Sequence, residues 1–500
     1  MSPPAADRAD LTRRSLLKSA GALATLPALG WSGACAATPQ RKPNILFIIT
    51  DQHRYDVAGF AGDSLAVTPA LDGLAAAGAT FTGAYCQSPL CVPARQSLIT
   101  GQRPFQHGTY GNVLQFPEDQ RTIVHHLAAE GYQTAMIGKA HVNTAGFAYV
   151  LNKGAMYGEF KRANPDARRP GEGLPEESSA PYTPAIWAAN PLTMGPGEGP
   201  VHYMEHDVVE HSKRWLADRD PERPFFLWAS FVRPHPPRFP PEEWCARFRD
   251  VQIPNWGPAG EAEEREMFVF VRDMRRVLGL DRATAADVLG LVRSYYASVA
   301  FSDHCIGELL AALDALDLAG DTLVVYTSDH GEMLGQHGLF GKFTLYEGAT
   351  RVPLILRWPG HVPAGRRVEH VVEHLDLVRT MLELVRVPVP SHVEGRSLAP
   401  LLAGAPDADW EDLAVSEMYN GRANFAEAPR DSIGLMLREG RFKFVAYGGA
   451  ERALFDIAED PEERRNLARD PTFAGRVEAM QGRLEAMIPE RVFVRAYKRR

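Results

Sequence analysis

The sequence predicts an α/β fold: one large, doubly wound mixed β-sheet flanked by helices, followed by a smaller C-terminal α+β domain. Up to about residue 402, continuous apolar runs of strand length end in charged loops and alternate with stretches of helical period. That is the pattern of strands covered on both faces. Beyond Leu402 the pattern changes to short paired strands and one terminal helix. A chain of 500 residues with 45% hydrophobic and 23% charged residues is globular and too long for one ordinary core. The expected division is residues 41–402 and 403–500.

The first strand is Asn44–Thr50, a run of apolar residues that delivers Asp51 at its carboxyl end. A helix from about Thr68 to Ala77 is stopped by Gly78, and another begins around Pro93. Thr122–Glu130 reads as a helix and Gln133–Ile137 as a strand. Residues 151–200, rich in Pro and Gly with little periodicity, read as a surface excursion over the active edge. Pro224–Phe231 resumes the buried-strand pattern, Arg282–Leu318 is helical, and Leu323–Thr327 is a core strand that delivers Ser328-Asp329-His330-Gly331. Pro353–Arg357 is a further short strand. In the C-terminal part, Ile433–Arg438 and Phe442–Tyr447 pair around Glu439-Gly440-Arg441, Ala453–Asp456 follows, and a helix runs from about Thr472 to Met487.

The first residues carry an address. Thr12-Arg13-Arg14-Ser15-Leu16-Leu17-Lys18, an apolar run and Ala34-Cys35-Ala36 together match a twin-arginine export signal, with residues 1–36 removed and a periplasmic or secreted product. Ser32-Gly33-Ala34 before Cys35 is a poor lipobox. No later apolar run is long enough to span a bilayer. Cys86, Cys91, Cys245 and Cys305 remain, too few and too scattered for a disulfide framework, though they leave room for a single bridge. The formal net charge of -8 excludes a general nucleic-acid or membrane-surface binder, so an anionic ligand needs a local cationic cluster.

Three groups of residues carry chemistry. Cys91-Val92-Pro93-Ala94-Arg95, followed by Ser97-Leu98-Ile99-Thr100-Gly101, places a cysteine at the positive end of a helix with a guanidinium one turn on. By itself a cysteine before a helix is usually an inert buried thiol. Asp51-Gln52 and Asp329-His330, each at a strand end, offer two carboxylates, an amide oxygen and an imidazole to a hard divalent cation. Lys139 and His141 follow one strand, His235 sits in Arg233-Pro234-His235-Pro236-Pro237 after another, and Lys342 follows Gln336–Gly341. Singly, each is more often a solvated loop residue than a catalytic one. His107-Gly108 and Asn112 are further candidates to line a pocket, His125-His126 falls on a helix face, and His202 and His206 around Glu205 lack the zinc-protease spacing.

Cys-x-Pro-x-Arg followed by Thr-Gly resembles the signature of the sulfatases, formylglycine-dependent members of the alkaline-phosphatase-like superfamily. Similarity continues at Lys139-x-His141, Pro234-His235-x-Pro237, Lys342, and the C-terminal Leu437–Lys443 and Leu454–Asp456, and so covers nearly all of the mature chain. It implies the alkaline-phosphatase-like fold and hydrolysis of a sulfate monoester, of a small molecule or a carbohydrate. It implies that Cys91 is converted to formylglycine by a formylglycine-generating enzyme before export. One divalent metal is expected on Asp51, Gln52, residue 91, Asp329 and His330: calcium or magnesium, with manganese favoured next by His330. The resemblance assigns Arg95, Lys139 and Lys342 to charge on the sulfuryl oxygens, and Asp51 to the proton of the attacking hydroxyl. His235, helped by Lys342, would protonate the departing alcohol, and His141 would deprotonate the second hydroxyl.

The family favours Ser where this chain has Ala94, and its best-known arylsulfatases carry Asp-Asp and Asp-Asn where this chain has Asp51-Gln52 and Asp329-His330. Ala94, Gln52 and His330 all occur among the related phosphonate monoester and phosphodiester hydrolases, which are the enzymatic alternative. A non-catalytic anion- or glycan-binding protein with an unmodified Cys91 is the alternative from another class.

Overall fold

The computed structural model describes residues 41–163, 203–252, 267–404, 410–419, 433–448 and 451–489, apart from Val113, Gln115, Glu118 and Leu278. The export signal expected over residues 1–36, and most of the stretch 151–200, lie outside the described residues.

An eight-stranded sheet forms the larger part. Its strands are β1 (Asn44–Asp51), β2 (Ala79–Tyr85), β3 (Gln133–Gly138), β4 (Tyr149–Asn152), β5 (Phe225–Pro234), β6 (Thr322–Ser328), β7 (Arg351–Arg357) and β8 (Arg366–Glu373). Their spatial order is β4-β3-β5-β1-β6-β7-β2-β8. Every pairing is parallel except the two made by β7, which runs antiparallel to β6 and β2. The sheet is therefore mixed, as the sequence predicts, and the carboxyl ends of the other seven strands share one edge. The central strand β1 is buried throughout its length, which explains its unbroken apolar run.

Helices cover both faces. The apolar residues of β1 alternate between two cores: Leu46 and Ile48 pack on one side with Tyr295, Ala297 and Phe301 of the helix Ala285–Ala315. Ile45, Phe47 and Ile49 pack on the other side with Leu377, Val378 and Met381 of the helix His374–Leu384. Among the described residues no helix is long and apolar enough to cross a membrane.

A second, antiparallel sheet follows: β9 (Leu413–Met418), β10 (Gly434–Glu439), β11 (Phe442–Tyr447) and β12 (Glu451–Asp456), in the order β12-β11-β10-β9. The helix Ala474–Met487 lays Val477, Met480 and Leu484 on its apolar face. Lys443 of β11 is fully buried and reaches Glu347 Oε1 at 3.0 Å and Glu463 Oε1 at 2.8 Å.

Several elements differ from the sequence reading. The excursion expected at 151–200 begins as regular structure, because Val150 and Leu151 of β4 pair with Met136 and Ile137 of β3, and a helix follows at Lys153–Ala163. Strands β2, β8 and β9 and the helix Met204–Asp218 had no predicted counterpart. All four cysteines of the described residues are free thiols, so the single bridge they left room for is not formed among them.

Candidate active site

The shared strand edge gathers the predicted residues. The helix Cys91–Thr100 starts with Cys91 itself, so the thiol sits at the first position with Pro93 in the same turn. Just before it, Pro89 and Leu90 close the loop from β2, and Leu90 is the helix cap. Cys91 is 1% exposed. Its Sγ lies 3.1 Å from Lys342 Nζ, 3.2 Å from His330 Nε2, 3.7 Å from Asp51 Oδ1 and 3.8 Å from Lys139 Nζ. Burial and Asp51 push the thiol up, but Lys139, Lys342 and His330 outweigh them and hold it well below its ordinary value.

Each neighbour is delivered by a strand end. Asp51 ends β1, and Gln52 follows at φ +71, a left-handed conformation unfavourable for a side chain beyond Gly. The Tyr295 hydroxyl donates to Gln52 O at 2.7 Å and Gln52 N donates to Asp329 Oδ1 at 3.1 Å, which fixes the turn. Gly138 ends β3 at φ +113. A Cβ there would stand 1.9 Å from Ser230 O, so only glycine lets β3 meet β5 closely enough to send Lys139 into the cluster. Lys139 Nζ binds Asp51 Oδ2.

Arg95 is wholly buried and committed to the two carboxylates, so its donors are taken up within the protein and it does not fill the role against sulfuryl oxygens that the resemblance assigns to it. Its Nε donates to Asp329 Oδ2 at 2.7 Å, one terminal nitrogen to Ser230 Oγ at 2.7 Å and to Lys139 O at 3.3 Å, and the other to Asp51 Oδ2 at 3.5 Å. For Asp51, burial raises the pKa, but Lys139, then His235, Lys342 and Arg95 overcome it and hold the carboxyl well below the usual range. Burial and then the nearby Asp51 push Asp329 up to about 6 even though Arg95 touches it. The Arg95 contact is short, but Arg95 is shared between two carboxylates, so the like charge beside Asp329 prevails.

Apart from the Cys91 sulfur, these groups suit a hard cation. One ligand atom each from Asp51, Cys91, Asp329 and His330 lies within 4.8 Å of the others. Two buried carboxylates that crowd each other gain from a divalent charge between them. His330 Nδ1 donates to Gly331 O at 2.9 Å, which turns the Nε2 lone pair toward the cluster. Burial lowers the His330 pKa, and Asp329 more than restores it. Gln52 presents its carbonyl oxygen on the same side, where Lys342 Nζ reaches it at 2.8 Å.

Two further histidines border the group. His235 Nε2 lies 3.9 Å from Asp51 Oδ1, while its Nδ1 donates to Pro236 O at 2.6 Å. Burial and then Lys342 hold it down to about 4, so the ring is neutral and Nε2 carries a lone pair. His141, at φ +48, is likewise lowered by burial and by Lys139, and its Nδ1 is buried with no hydrogen-bond partner among the described residues. All the predicted catalytic and metal residues thus converge.

The remaining candidates make other contacts. His107 Nε2 meets Ser97 Oγ at 3.0 Å and braces the helix that Cys91 begins, and Asn112 Oδ1 accepts from Val92 N at 3.1 Å. His125 caps its own helix, His206 packs on Phe301, and Glu205 pairs with Arg233 at 2.8 Å. His202 lies outside the described residues. Sequence reasoning missed Ser230, a lone hydroxyl in the apolar run of β5, and Glu332 and Arg238, which interact behind Gln52. The signal for Ser230 was its polarity at a fully buried strand position.

Comparison with known proteins identifies the family. The family model described as Sulfatase matches residues 43–387, and that described as N-sulphoglucosamine sulphohydrolase, C-terminal, matches residues 335–490. An arylsulfatase of Clostridium perfringens is 29% identical over 88% of this chain and 93% of its own. A choline-sulfatase of Rhizobium meliloti is 30% identical over 86% of this chain and 83% of its own. Among solved structures, the phosphonate monoester hydrolase of Agrobacterium radiobacter is similar with a TM-score of 0.71 and 26% identity, covering 89% of this chain and 95% of the other.

Proposed function

The chain belongs to the sulfatase family and is a sulfatase enzyme, and from that premise we propose that it hydrolyses a sulfate monoester with a formylglycine made from Cys91 and one divalent metal. The observation that carries the proposal is the position of Sγ, within 3.8 Å of two lysines, a carboxylate and an imidazole, and buried. Asp51, Gln52, Asp329 and His330 would hold the metal, calcium or magnesium before manganese. When bound, it supplies Lewis-acid polarisation of a sulfuryl oxygen. The hydrate of formylglycine supplies two geminal hydroxyls, one to attack sulfur and one whose later deprotonation expels sulfate by C–O cleavage.

This chain's own residues do the rest. Lys139 and Lys342 bring ammonium groups to the place where sulfuryl oxygens would sit, in a buried site. Arg95 holds both metal carboxylates in register. Asp51, kept ionised by its cationic neighbours, accepts the proton of the attacking hydroxyl. His141, neutral and with Nδ1 lacking a hydrogen-bond partner among the described residues, accepts the proton of the second. His235 serves the leaving oxygen: an anion bound against Lys342 offsets the positive charge that helps hold the imidazole down, so the ring takes up a proton to give to the alcohol.

Because Cys91 is 1% exposed, its conversion by a formylglycine-generating enzyme would precede folding, and therefore the twin-arginine export we also propose, to the periplasm or beyond. The substrate class is the sulfate ester of a small molecule or a carbohydrate.

Replacing Cys91 by Ser in a host that modifies only cysteine is expected to abolish turnover of an aryl sulfate, and the wild-type peptide spanning residue 91 should weigh about 18 Da less than its thiol form. Near-normal activity of the Ser variant, or an unshifted mass in active enzyme, would reject this nucleophile. A second reading, a phosphonate monoester or phosphodiester hydrolase, is favoured by the likeness to the Agrobacterium enzyme. Paired kcat/KM values for an aryl sulfate and an aryl phosphonate monoester decide between them.

A further inference from the structure

Glu332 lies behind the cluster and is fully buried. Its carboxylate receives four N–H donors. Oε1 accepts from Leu334 N at 2.9 Å and from Gly341 N; Oε2 accepts from Gln52 Nε2 and from an Arg238 terminal nitrogen. These donors belong to three separate segments. Gln52 follows β1, Gly341 immediately precedes Lys342, and Arg238 lies three residues beyond His235. The backbone of Glu332 is held in turn, since its carbonyl accepts from Arg54 at 3.0 Å.

The consequence for Gln52 is chemical. A carboxamide has one end that can bind a cation and one that repels it, and the two ends have nearly the same shape. At Gln52 the amino end donates to Glu332 while the oxygen faces Lys342 Nζ and, beyond it, Cys91. We propose that Glu332 is a positioning residue that locks the Gln52 amide with its oxygen toward the metal site, and that its second oxygen fixes the 333–341 loop from which Lys342 extends. This inference rests on the metal site proposed above. A Gln-containing site needs such a device, whereas a carboxylate at position 52 would present oxygen in either orientation.

Glu332→Gln is nearly isosteric, yet neither orientation of its amide can accept all four donors, because one end becomes a donor itself. Where that end meets Gln52 Nε2, the Gln52 amide is driven to turn its amino end toward the metal. Partners behind metal ligands are typically worth 10–100-fold in metal affinity. The experiment is calorimetric titration of chelator-stripped protein with calcium chloride, on wild type, Glu332→Gln, Gln52→Glu and the double variant. Glu332→Gln is expected to weaken calcium binding about 10–100-fold. The double variant is expected to regain most of it, because a carboxylate at position 52 offers oxygen in either orientation and an amide at position 332 can donate to it.

Glu332→Asp, which keeps the charge but withdraws the carboxylate by one methylene, carries the same expectation of loss if Glu332→Gln fails to fold. Wild-type calcium affinity in whichever of these two variants folds overturns the inference. So does a loss that Gln52→Glu leaves undiminished, since the carboxylate would then act only by bracing the loop. An Asp329→Asn control separates the levels: if it too binds calcium like the wild type, the metal site is misplaced, and if it alone loses binding, only the role of Glu332 fails.

Discussion

Arg95→Met removes a guanidinium that has no exposed surface, from between two carboxylates that have none either. Asp51 and Asp329 then face each other with less counter-charge, and Ser230 Oγ loses its donor. Solvent does not reach the gap. The cost is therefore that of an orphaned buried charge, about 3–5 kcal/mol, and not the 0–1 kcal/mol of an exposed pair. Arg95→Lys restores charge without the planar fork, so it can serve one carboxylate or the hydroxyl but not all three, and an intermediate loss is expected. The assay is urea unfolding in excess chelator at pH 7.5 and pH 5, which isolates the protein from metal loading. Asp329 already titrates near 6 in the intact site and rises further when Arg95 is gone. With its folded value raised above the unfolded one, a carboxyl destabilises as pH rises through that range. The Met variant should therefore recover part of its deficit at pH 5. A loss under about 1 kcal/mol at pH 7.5, or a deficit that grows on acidification, would refute the assignment of Arg95 as the cation that makes this pair tolerable.

Two other perturbations follow from the same geometry. His235→Asn should slow hydrolysis of sulfate esters with poor alcohol leaving groups by about 100-fold or more while sparing activated aryl sulfates, because only the former need a proton; equal losses on both, read as a slope of log kcat against leaving-group pKa, would exclude it as the acid. Lys443→Met strips the shared cation from Glu347 and Glu463 and should cost about 3–5 kcal/mol at neutral pH. Against burial, Lys443 and then Arg351 hold Glu347 down to about 2 from its ordinary 4.5. That stability is present above 4.5 and is lost as pH falls toward 2, so the deficit of the variant should shrink at pH 4. Burial, the largest cause, keeps Glu463 raised in spite of the same lysine, since one cation cannot hold two carboxylates down. Urea midpoints at pH 7 and pH 4 measure the difference, and an equal deficit at both would contradict it.

Which strands were legible depended on where they lie in the sheet. β1, β3, β5, β6 and β7 sit inside it, are covered on both faces, and announce themselves as apolar runs. β8 is an edge strand whose Arg366, Arg367, Glu369 and His370 obscure Val368, Val371 and Val372, and charge on an edge is a common protection against stray pairing. β4 is the opposite edge and only four residues long. β2 is interior and still escaped notice, because Gly83 breaks its pattern. There a Cβ would come 2.7 Å from His370 O, so the close approach of β8 demands the residue that weakens the strand signal.

The site divides along a different line. Residues that act on a substrate or a cation must be of particular chemical types: a carboxylate for the metal, an ammonium for an oxyanion, an imidazole near neutrality. Asp51 and Asp329 could therefore be picked out from type and from place after a strand, whereas Lys139, His141, His235 and Lys342 stand out by their resemblance to the sulfatase motifs. Residues that hold them need only satisfy a donor or an acceptor, and many types can do so at many positions. Ser230 steadies Arg95 with one hydroxyl, Tyr295 closes the Gln52 turn from the long helix Ala285–Ala315, and Glu332 gathers donors from three loops. No spacing rule links Tyr295 to Gln52 across more than two hundred residues. Their partnership exists only because the parallel sheet brings the carboxyl ends of β1, β5 and β6 to one edge, beneath which the helix passes. What the chemistry dictates is written along the chain, and what the fold must add to make it precise is visible only once the strand ends have met.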